Sequence, residues 1–482
     1  RLVEISKTIK MIFSRIKKLR RKFNIYNIDG YVVPKNDSYF NEYSSPDRLK
    51  LISNFNGSAG LAIILRNRNY LFVDGRYTIQ AKSQSGSNFD VVEIHKKLPW
   101  KVLKHRIKIG YNPYCFTSFS LARYFKNYFK LIPIYDDLII KKKERKVNNK
   151  FYFIEDHISG ESSKSKIKRV LKYLRDNKSD SLFITAPENV AWLLNLRGKD
   201  NPHSPIPNCR LILKNNGEIY LFTNKSKVQN LFIKKNLIKV KVIDENKINI
   251  FLKSFTCKKI IIDQLSCSLA YKNIIKKKIN ISSKNDPIYF MKSIKNNTEI
   301  ENFSKSHIFD GVAVIKFLCW IKSLKKNLTE LEAEKKLNYF RTKNVNYLYP
   351  SFNTISASGP NGAIIHYRAN KNSNRLIKKD DIFLCDSGGQ YKYGTTDITR
   401  TISLGKQTQK IKNNFTYVLK GHIAVANANL KKIKSGHLLD NLARKFLKKK
   451  GLDYPHGTGH GVGYFLNVHE RPVAISKGYK IR

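Results

Sequence analysis

Three short stretches of this 482-residue chain carry side chains able to do chemistry. The first is His456-Gly-Thr-Gly-His-Gly-Val-Gly463, with Asn467-Val-His469 just beyond it. Glycine at every second position argues against a helix, where each costs about 1 kcal/mol relative to alanine. It suits an extended strand that passes close to something. A strand puts His456, Thr458 and His460 on one face, with the two histidines about 13 Å apart at ~3.3 Å per residue. That is too far to share one metal unless the strand bends, so one histidine reads as a ligand and the other as a substrate contact. The plainer alternative is a glycine-rich turn with incidental histidines.

The second stretch is Phe383-Leu-Cys-Asp-Ser-Gly-Gly-Gln-Tyr-Lys-Tyr-Gly-Thr-Thr-Asp-Ile-Thr-Arg-Thr401. Its glycines mark a corner between strand-like flanks. With the hairpin centre between Tyr391 and Lys392, Asp386 faces Asp397 directly, Cα atoms ~4.5–5.5 Å apart. Like charges so placed repel, and a cation between them removes the repulsion. Two oxygen donors and an imidazole suit Mn²⁺ or a neighbouring first-row metal, and two metals ~3.5–4 Å apart form a hydrolytic clamp. The alternative is two solvated turn aspartates neutralised by Arg400 or nearby lysines. The third stretch, Ser351 to Tyr367, reads as a small-residue loop around Gly359-Pro360 that delivers His366 at the end of an apolar strand. A lone histidine so placed is also an ordinary core residue.

The elements that must position these residues begin near residue 291. Thr298-x-x-Glu301 reads as a capping box opening a helix through Ile308, Val312, Ile315 and Cys319, and Thr329-x-x-Glu332 as a second one. Ahead of them one pattern occurs twice. Ile5, Ile9, Ile12, Ile16, Leu19 and Phe23 recur at helical spacing. They are followed by a strand at Gly30–Val33, the apolar run Leu61–Leu65, a turn at Arg66–Asn69 and a strand at Tyr70–Val73. Ile167, Val170, Leu171 and Leu174 then repeat the helix, and Ser181–Ile184, Arg210–Leu213 and Ile219–Phe222 the strands. The expected organisation is therefore two similar α/β domains, 1–145 and 146–290, followed by a third domain, 291–482, that holds every candidate site residue.

Composition narrows the class. With 41% apolar residues and 12% aromatics the chain is globular. No run approaches the ~20 apolar residues that span a bilayer, and no signal peptide is evident. Six cysteines without a Cys-x-x-Cys pair read as reduced and cytoplasmic. The net charge of +55 raises nucleic acid or an anionic membrane as partners. However, the lysine runs Lys141–Lys143, Lys276–Lys278 and Lys448–Lys450 are scattered and lack interleaved aromatics. The composition therefore implies weak, salt-sensitive binding to polyanions, not a dedicated nucleic-acid or membrane function. Met11 and Met291 are the only methionines, which makes Met11 a candidate start and the two termini those of a fragment.

Together the three stretches resemble aminopeptidase P, the Xaa-Pro aminopeptidase of the metal-dependent pita-bread peptidases. Asn361-Gly-Ala-Ile-Ile-His-Tyr367, the Asp386/Asp397 segment with its Asp-Ile-Thr-Arg-Thr ending, and His456-Gly-Thr-Gly-His-Gly461 through Asn467-Val-His-Glu470 are similar to that family's signatures, in order. Asn54-Phe-Asn-Gly-Ser-Ala-Gly60 and Val73-Asp-Gly-Arg-Tyr77 resemble its first domain, Ala191–Gly198 its second, and Lys292–Asn296 the entry to its third. The resemblance implies two creatinase-N-like α/β domains before a pita-bread catalytic domain, in a dimeric enzyme holding two Mn²⁺ or other divalent ions. It makes Asp386, Asp397 and His460 metal ligands, with Asp397 shared by both ions. His366 and His469 become catalytic substrate contacts, and His456 lines the pocket. A metal-bridging hydroxide would attack the amide between an N-terminal residue and proline.

The family also carries two glutamates beyond the histidine segment, one in a Ser-Asn-Glu-Pro-Gly-like stretch and one in a Gly-Ile-Arg-Ile-Glu-like stretch. The one acid here after Asp453 is Glu470, in the Val-His-Glu motif. On this reading the pita-bread domain is truncated at its C-terminus. Loss of two of five protein ligands weakens metal binding, since even one outer partner is worth ~10–100-fold in affinity. The full-length parent is then active and this chain is not. Arg471 also stands where the family usually has glycine. The alternatives are a prolidase-type Xaa-Pro dipeptidase and, from another class, a metal-free pita-bread binding protein.

Overall fold

A computed structural model describes residues 2–43, 46–140, 149–228, 231–234, 240–323, 327–370 and 373–478. The Lys141–Lys143 run, the side chains of Ile5 and Ile9, and Lys480–Arg482 lie outside the described residues. The chain divides into two compact units, Arg1–Lys292 and Ser293–Arg482. No helix among the described residues is long and apolar enough to cross a membrane.

Within the first unit the expected repeat is realised as two six-stranded mixed sheets. In the first, Gly30–Pro34 runs antiparallel to Gly60–Leu65, which pairs antiparallel with Asn69–Val73; Asp90–Glu93 joins that edge in parallel. Lys108–Tyr111 and Lys130–Pro133 extend the other side in parallel. Ser181–Ile184, Arg210–Lys214, Ile219–Thr223, Val240–Asp244, Lys259–Ile262 and Asn280–Ser283 reproduce the same order and directions. Alternation explains why these strands read as unbroken apolar runs. Ala62 and Ile64 join a core with Ile12, Ile16 and Leu19 of the Leu2–Arg20 helix, while Leu61 and Ile63 pack on the opposite face with Leu121 and Phe125. A strand covered on both faces needs apolar side chains at every position.

The second unit opens with the helix Asn297–Ser323, and here the expected cap moves. Asn296, not Thr298, is the N-cap: its side chain accepts from the Glu299 N–H at 3.0 Å, and Glu299 accepts from the Asn296 N–H at 3.0 Å. Glu299 is buried whereas Glu301 is exposed, so burial selects the earlier box. The Thr329/Glu332 capping box forms as expected on Glu330–Thr342. These helices pack Phe317, Ile321, Ala333 and Leu337 against Phe383 and Cys385 of the central strand Ile382–Ser387. That strand pairs antiparallel with Ile355–Ser358 on one side and Ile398–Ser403 on the other. A second helix pair, Gln409–Ala426 and Gly436–Lys448, is in close contact because residue 421 is glycine: a Cβ there would lie 2.1 Å from the Ala443 carbonyl oxygen.

One buried acid marks the end of the first unit. Asp286 is 2% exposed and accepts from Asn189 Nδ2 at 2.8 Å and from the Ile288 N–H at 2.9 Å. Burial outweighs both bonds and pushes its carboxyl up to about 7. Because the folded value lies above the unfolded one, the favourable contribution is complete below pH ~3.9 and disappears as pH rises through about 7. Asp286→Asn, which removes the charge, keeps one acceptor oxygen for the Ile288 N–H and can turn its NH₂ to the Asn189 side-chain carbonyl, is therefore expected to raise stability above pH 7 by a few kcal/mol. Chemical denaturation at pH 5 and pH 8 checks this; the gain belongs at pH 8.

Candidate metal centre

The carboxylates stand on the hairpin as a pair, but not in the register the sequence suggested. The loop is the two residues Lys392–Tyr393, with Tyr393 at φ +78°, so Tyr391 pairs with Gly394 and Gln390 with Thr395. The centre thus lies one residue later than expected, and Asp386 faces Thr399. Thr399 donates its hydroxyl to Asp386 Oδ1 at 2.7 Å. Asp397 comes two residues before that partner, on the same face by strand alternation. Burial, and next the charge of Asp397, push the Asp386 carboxyl up to about 6, against the opposing pull of Thr399, His460 and His469.

Only the middle of the glycine-rich stretch is a strand. Gly459–Gly461 pairs with Glu470–Ile475, and the register slips between His460 and Gly461. His460 Nδ1 bonds the Gly461 carbonyl at 2.9 Å, which requires the proton on Nδ1. Its Nε2 points at Asp397 Oδ2, 3.3 Å away, and its ring lies 4.3 Å from that of His469. Asp386, Asp397, His460 and His469 are therefore brought together.

His456 is not carried along that strand as expected. Arg444 gathers the preceding chain, donating to Asp440 at 2.8 Å, to Asp453 at 2.6 Å and to the carbonyls of Tyr454 and His456 at 2.7 and 2.5 Å. Thr458 donates to Asp440 at 2.7 Å. The chain bends there, and the His456 ring lies against Tyr454 with centroids 4.6 Å apart.

His366 is also delivered differently. The strand ends at Ser358; a 3₁₀ turn, Gly359–Ala363, follows, and His366 takes left-handed backbone at φ +55°. Such a conformation costs a non-glycine residue roughly 1–2 kcal/mol. The buried Glu330 holds the turn: it accepts from the Ser358 N–H at 2.7 Å, Asn361 Nδ2 at 3.0 Å, the Tyr367 hydroxyl at 2.7 Å and the Arg375 N–H at 3.2 Å. Sequence reasoning missed Glu330, Thr399, Asp440 and Arg444. The spacing Asp440-x-x-x-Arg444 was the available signal for the last two.

The donor set fits a divalent cation. Two carboxylates share a face where burial and the charge of Asp397 oppose ionisation of Asp386, and an imidazole whose accessible nitrogen is Nε2 is turned toward Asp397. A cation or a proton relieves that arrangement, and hard oxygen with imidazole nitrogen suits first-row divalent ions. Among the described residues no three His, Cys, Asp or Glu side chains close into a complete metal-holding group.

Comparisons with known proteins agree with this chemistry. The model of metallopeptidase family M24 matches residues 301–482, and models of the creatinase/prolidase N-terminal domain match 15–138 and 142–299. A probable Xaa-Pro aminopeptidase P of Laccaria bicolor is 35% identical over 488 residues, covering 96% of this chain and 75% of the relative. One from Aspergillus fumigatus is 36% identical over 494 residues, with the same coverages of 96% and 75%. The crystal structure of an X-prolyl aminopeptidase from Caenorhabditis elegans, described as a cytosolic enzyme with a di-nuclear active site, superposes with TM-score 0.88 at 28% identity; 97% of this chain and 82% of that one are covered. The prolidase of Pyrococcus furiosus gives 0.50 at 25% identity, over 64% and 86%.

Glu330→Ala is expected to destabilise the Ser293–Arg482 unit by about 3 kcal/mol or more, because it leaves four donors without their charged acceptor. Denaturant unfolding checks it; a loss under about 1 kcal/mol would contradict the role given to Glu330.

Proposed function

The chain belongs to the aminopeptidase P family of M24 metallopeptidases, a hydrolase built from two creatinase-type domains and a pita-bread domain, and on that premise we propose how its residues act on an N-terminal Xaa-Pro bond. The segments 1–145, 146–290 and 291–482 are taken as the three domains. Asp386, Asp397 and His460 would hold the divalent metal, which we take to be two Mn²⁺ ions. One observation carries this reading: His460 Nε2 lies 3.3 Å from Asp397 on the face where Asp386 and His469 also meet. When bound, the cations would lower the pKa of a water and stabilise negative charge on the scissile carbonyl oxygen.

The chain's own residues do the rest. His469, held beside His460, and His366, presented on its left-handed turn, contact the substrate around the scissile carbonyl. His456, against Tyr454, lines the pocket for residues after the cut. Thr399 orients Asp386 from across the hairpin. The proline amide has no N–H, so recognition rests on the free amino terminus and the ring rather than on a strand-like ladder. We further propose a cytoplasmic homodimer acting on proline-containing peptides.

Two more carboxylates complete the family's site, and Glu470 does not supply them: it is buried in an ion pair with Lys295. The three protein donors in these 482 residues are expected to hold metal weakly and to leave the reaction without its general base. An Xaa-Pro-Xaa tripeptide assay with added Mn²⁺ tests this. The 482-residue polypeptide is expected to give no turnover above background, and the same chain carried on through the two glutamates is expected to cleave the tripeptide faster than an Xaa-Pro dipeptide. Robust turnover by the 482-residue polypeptide contradicts the first expectation; dipeptide preference favours the prolidase reading.

A further inference from the structure

Ser387 follows Asp386 on the strand Ile382–Ser387 and so points to its opposite face, and Thr396 directly precedes Asp397 in the link between Gly394–Thr395 and Ile398–Ser403. Both bond one ion pair between two helices. Arg341, from Glu330–Thr342, donates Nε to Asp310 Oδ1 at 2.6 Å and Nη2 to Asp310 Oδ2 at 3.1 Å; Asp310 comes from Asn297–Ser323. Both residues are essentially unexposed, at 0% for Asp310 and 1% for Arg341.

Each member of the pair reaches one arm of the hairpin. Arg341 Nη2 donates to Ser387 Oγ at 3.0 Å, and Ser387 directly follows Asp386. Asp310 Oδ2 accepts from Thr396 Oγ1 at 2.6 Å, and Thr396 directly precedes Asp397. The Tyr391 hydroxyl donates to Asp310 Oδ1 at 2.9 Å and ties in the end of the hairpin. Thr396 is fixed further: its Oγ1 accepts from the Gly389 N–H at 2.9 Å, and its carbonyl accepts from Ser351 Oγ at 2.8 Å. Gly388 permits this closeness, since a Cβ there would lie 2.0 Å from the Thr396 carbonyl oxygen.

Resting on the reading of Asp386 and Asp397 as metal ligands, we propose that the buried Asp310–Arg341 pair is a positioning device that sets the placement of both carboxylates through Ser387 and Thr396. Apolar packing already anchors this strand through Phe383 and Cys385. A buried ion pair is often no more stabilising than apolar groups of the same volume. What it adds is direction: a fully bonded buried network rigidifies what it touches. Metal ligands need placement within ~0.5 Å, supplied by the groups behind them.

The test avoids Asp310 and Arg341, whose loss strands a buried charge. Thr396→Val and Ser387→Ala each cut one arm, and Thr396→Ser keeps the hydroxyl. Mn²⁺ affinity of the 482-residue chain is measured by calorimetry at a temperature where every variant is folded, with thermal unfolding alongside. Thr396→Val and Ser387→Ala are expected to weaken Mn²⁺ binding by about 10–100-fold while Thr396→Ser stays close to the parent chain. Unchanged affinity in Thr396→Val and Ser387→Ala, whatever their unfolding temperatures, overturns the inference, as does an equal loss in Thr396→Ser. A parent chain that binds no Mn²⁺ instead overturns the metal-site reading, and this inference with it.

Discussion

Charge crowding on one half-buried face governs the Ser293–Arg482 unit. Asp386 and Asp397 lie on the same side of a hairpin, and His460 turns Nε2 toward Asp397 from a separate strand. Left alone, these groups oppose one another, which is why burial and Asp397 together lift Asp386 to about 6. A fold does not accumulate such a conflict without opposing contacts, and here they are identifiable. Thr399 answers Asp386 across the strands, and Nδ1 of His460 is committed to a carbonyl. A divalent cation neutralises both carboxylates at once, whereas a proton neutralises one.

Three buried charged groups shape the segments around that face. Glu330 collects Ser358, Asn361 and Tyr367 around the turn that carries His366, and Arg375 beyond it. Arg444 collects carbonyls and carboxylates from the chain leading into the glycine-rich stretch. Asp310 and Arg341 lie behind the hairpin. Each sits on a helix and reaches a loop or strand end, so rigid elements specify irregular backbone. Directional bonds are suited to that task because loops bury too little apolar surface to be fixed by packing.

Much of this was legible in the chain. The doubled α/β pattern could be read because strands buried on both faces leave continuous apolar runs, as in Leu61–Leu65 and Ser181–Ile184, and both sheets have the same strand order. That Asp386, Asp397, His460 and His469 belong to one site was what the resemblance to aminopeptidase P implied. What failed were details set by one residue of local geometry. Placing the loop at Lys392–Tyr393 shifts every pairing by two, so Asp386 meets Thr399. Asn296 displaced Thr298 as the cap because Glu299 is the buried glutamate. His456 left the strand because Arg444, distant from the motif in any periodicity argument, pulls its carbonyl. The helical partners Glu330, Asp310 and Arg341 gave no sequence signal, since their partners lie far along the chain.

The central claim is that Asp386, Asp397 and His460 bind the metal while His456, in the same glycine-rich stretch, does not. Calorimetric Mn²⁺ titration of the 482-residue chain and of its Asp397→Asn, His460→Ala and His456→Ala variants addresses that division directly. Asp397→Asn and His460→Ala are expected to abolish measurable binding, and His456→Ala to leave the affinity of the parent chain. Parental affinity in His460→Ala, or loss of binding in His456→Ala alone, would contradict the account.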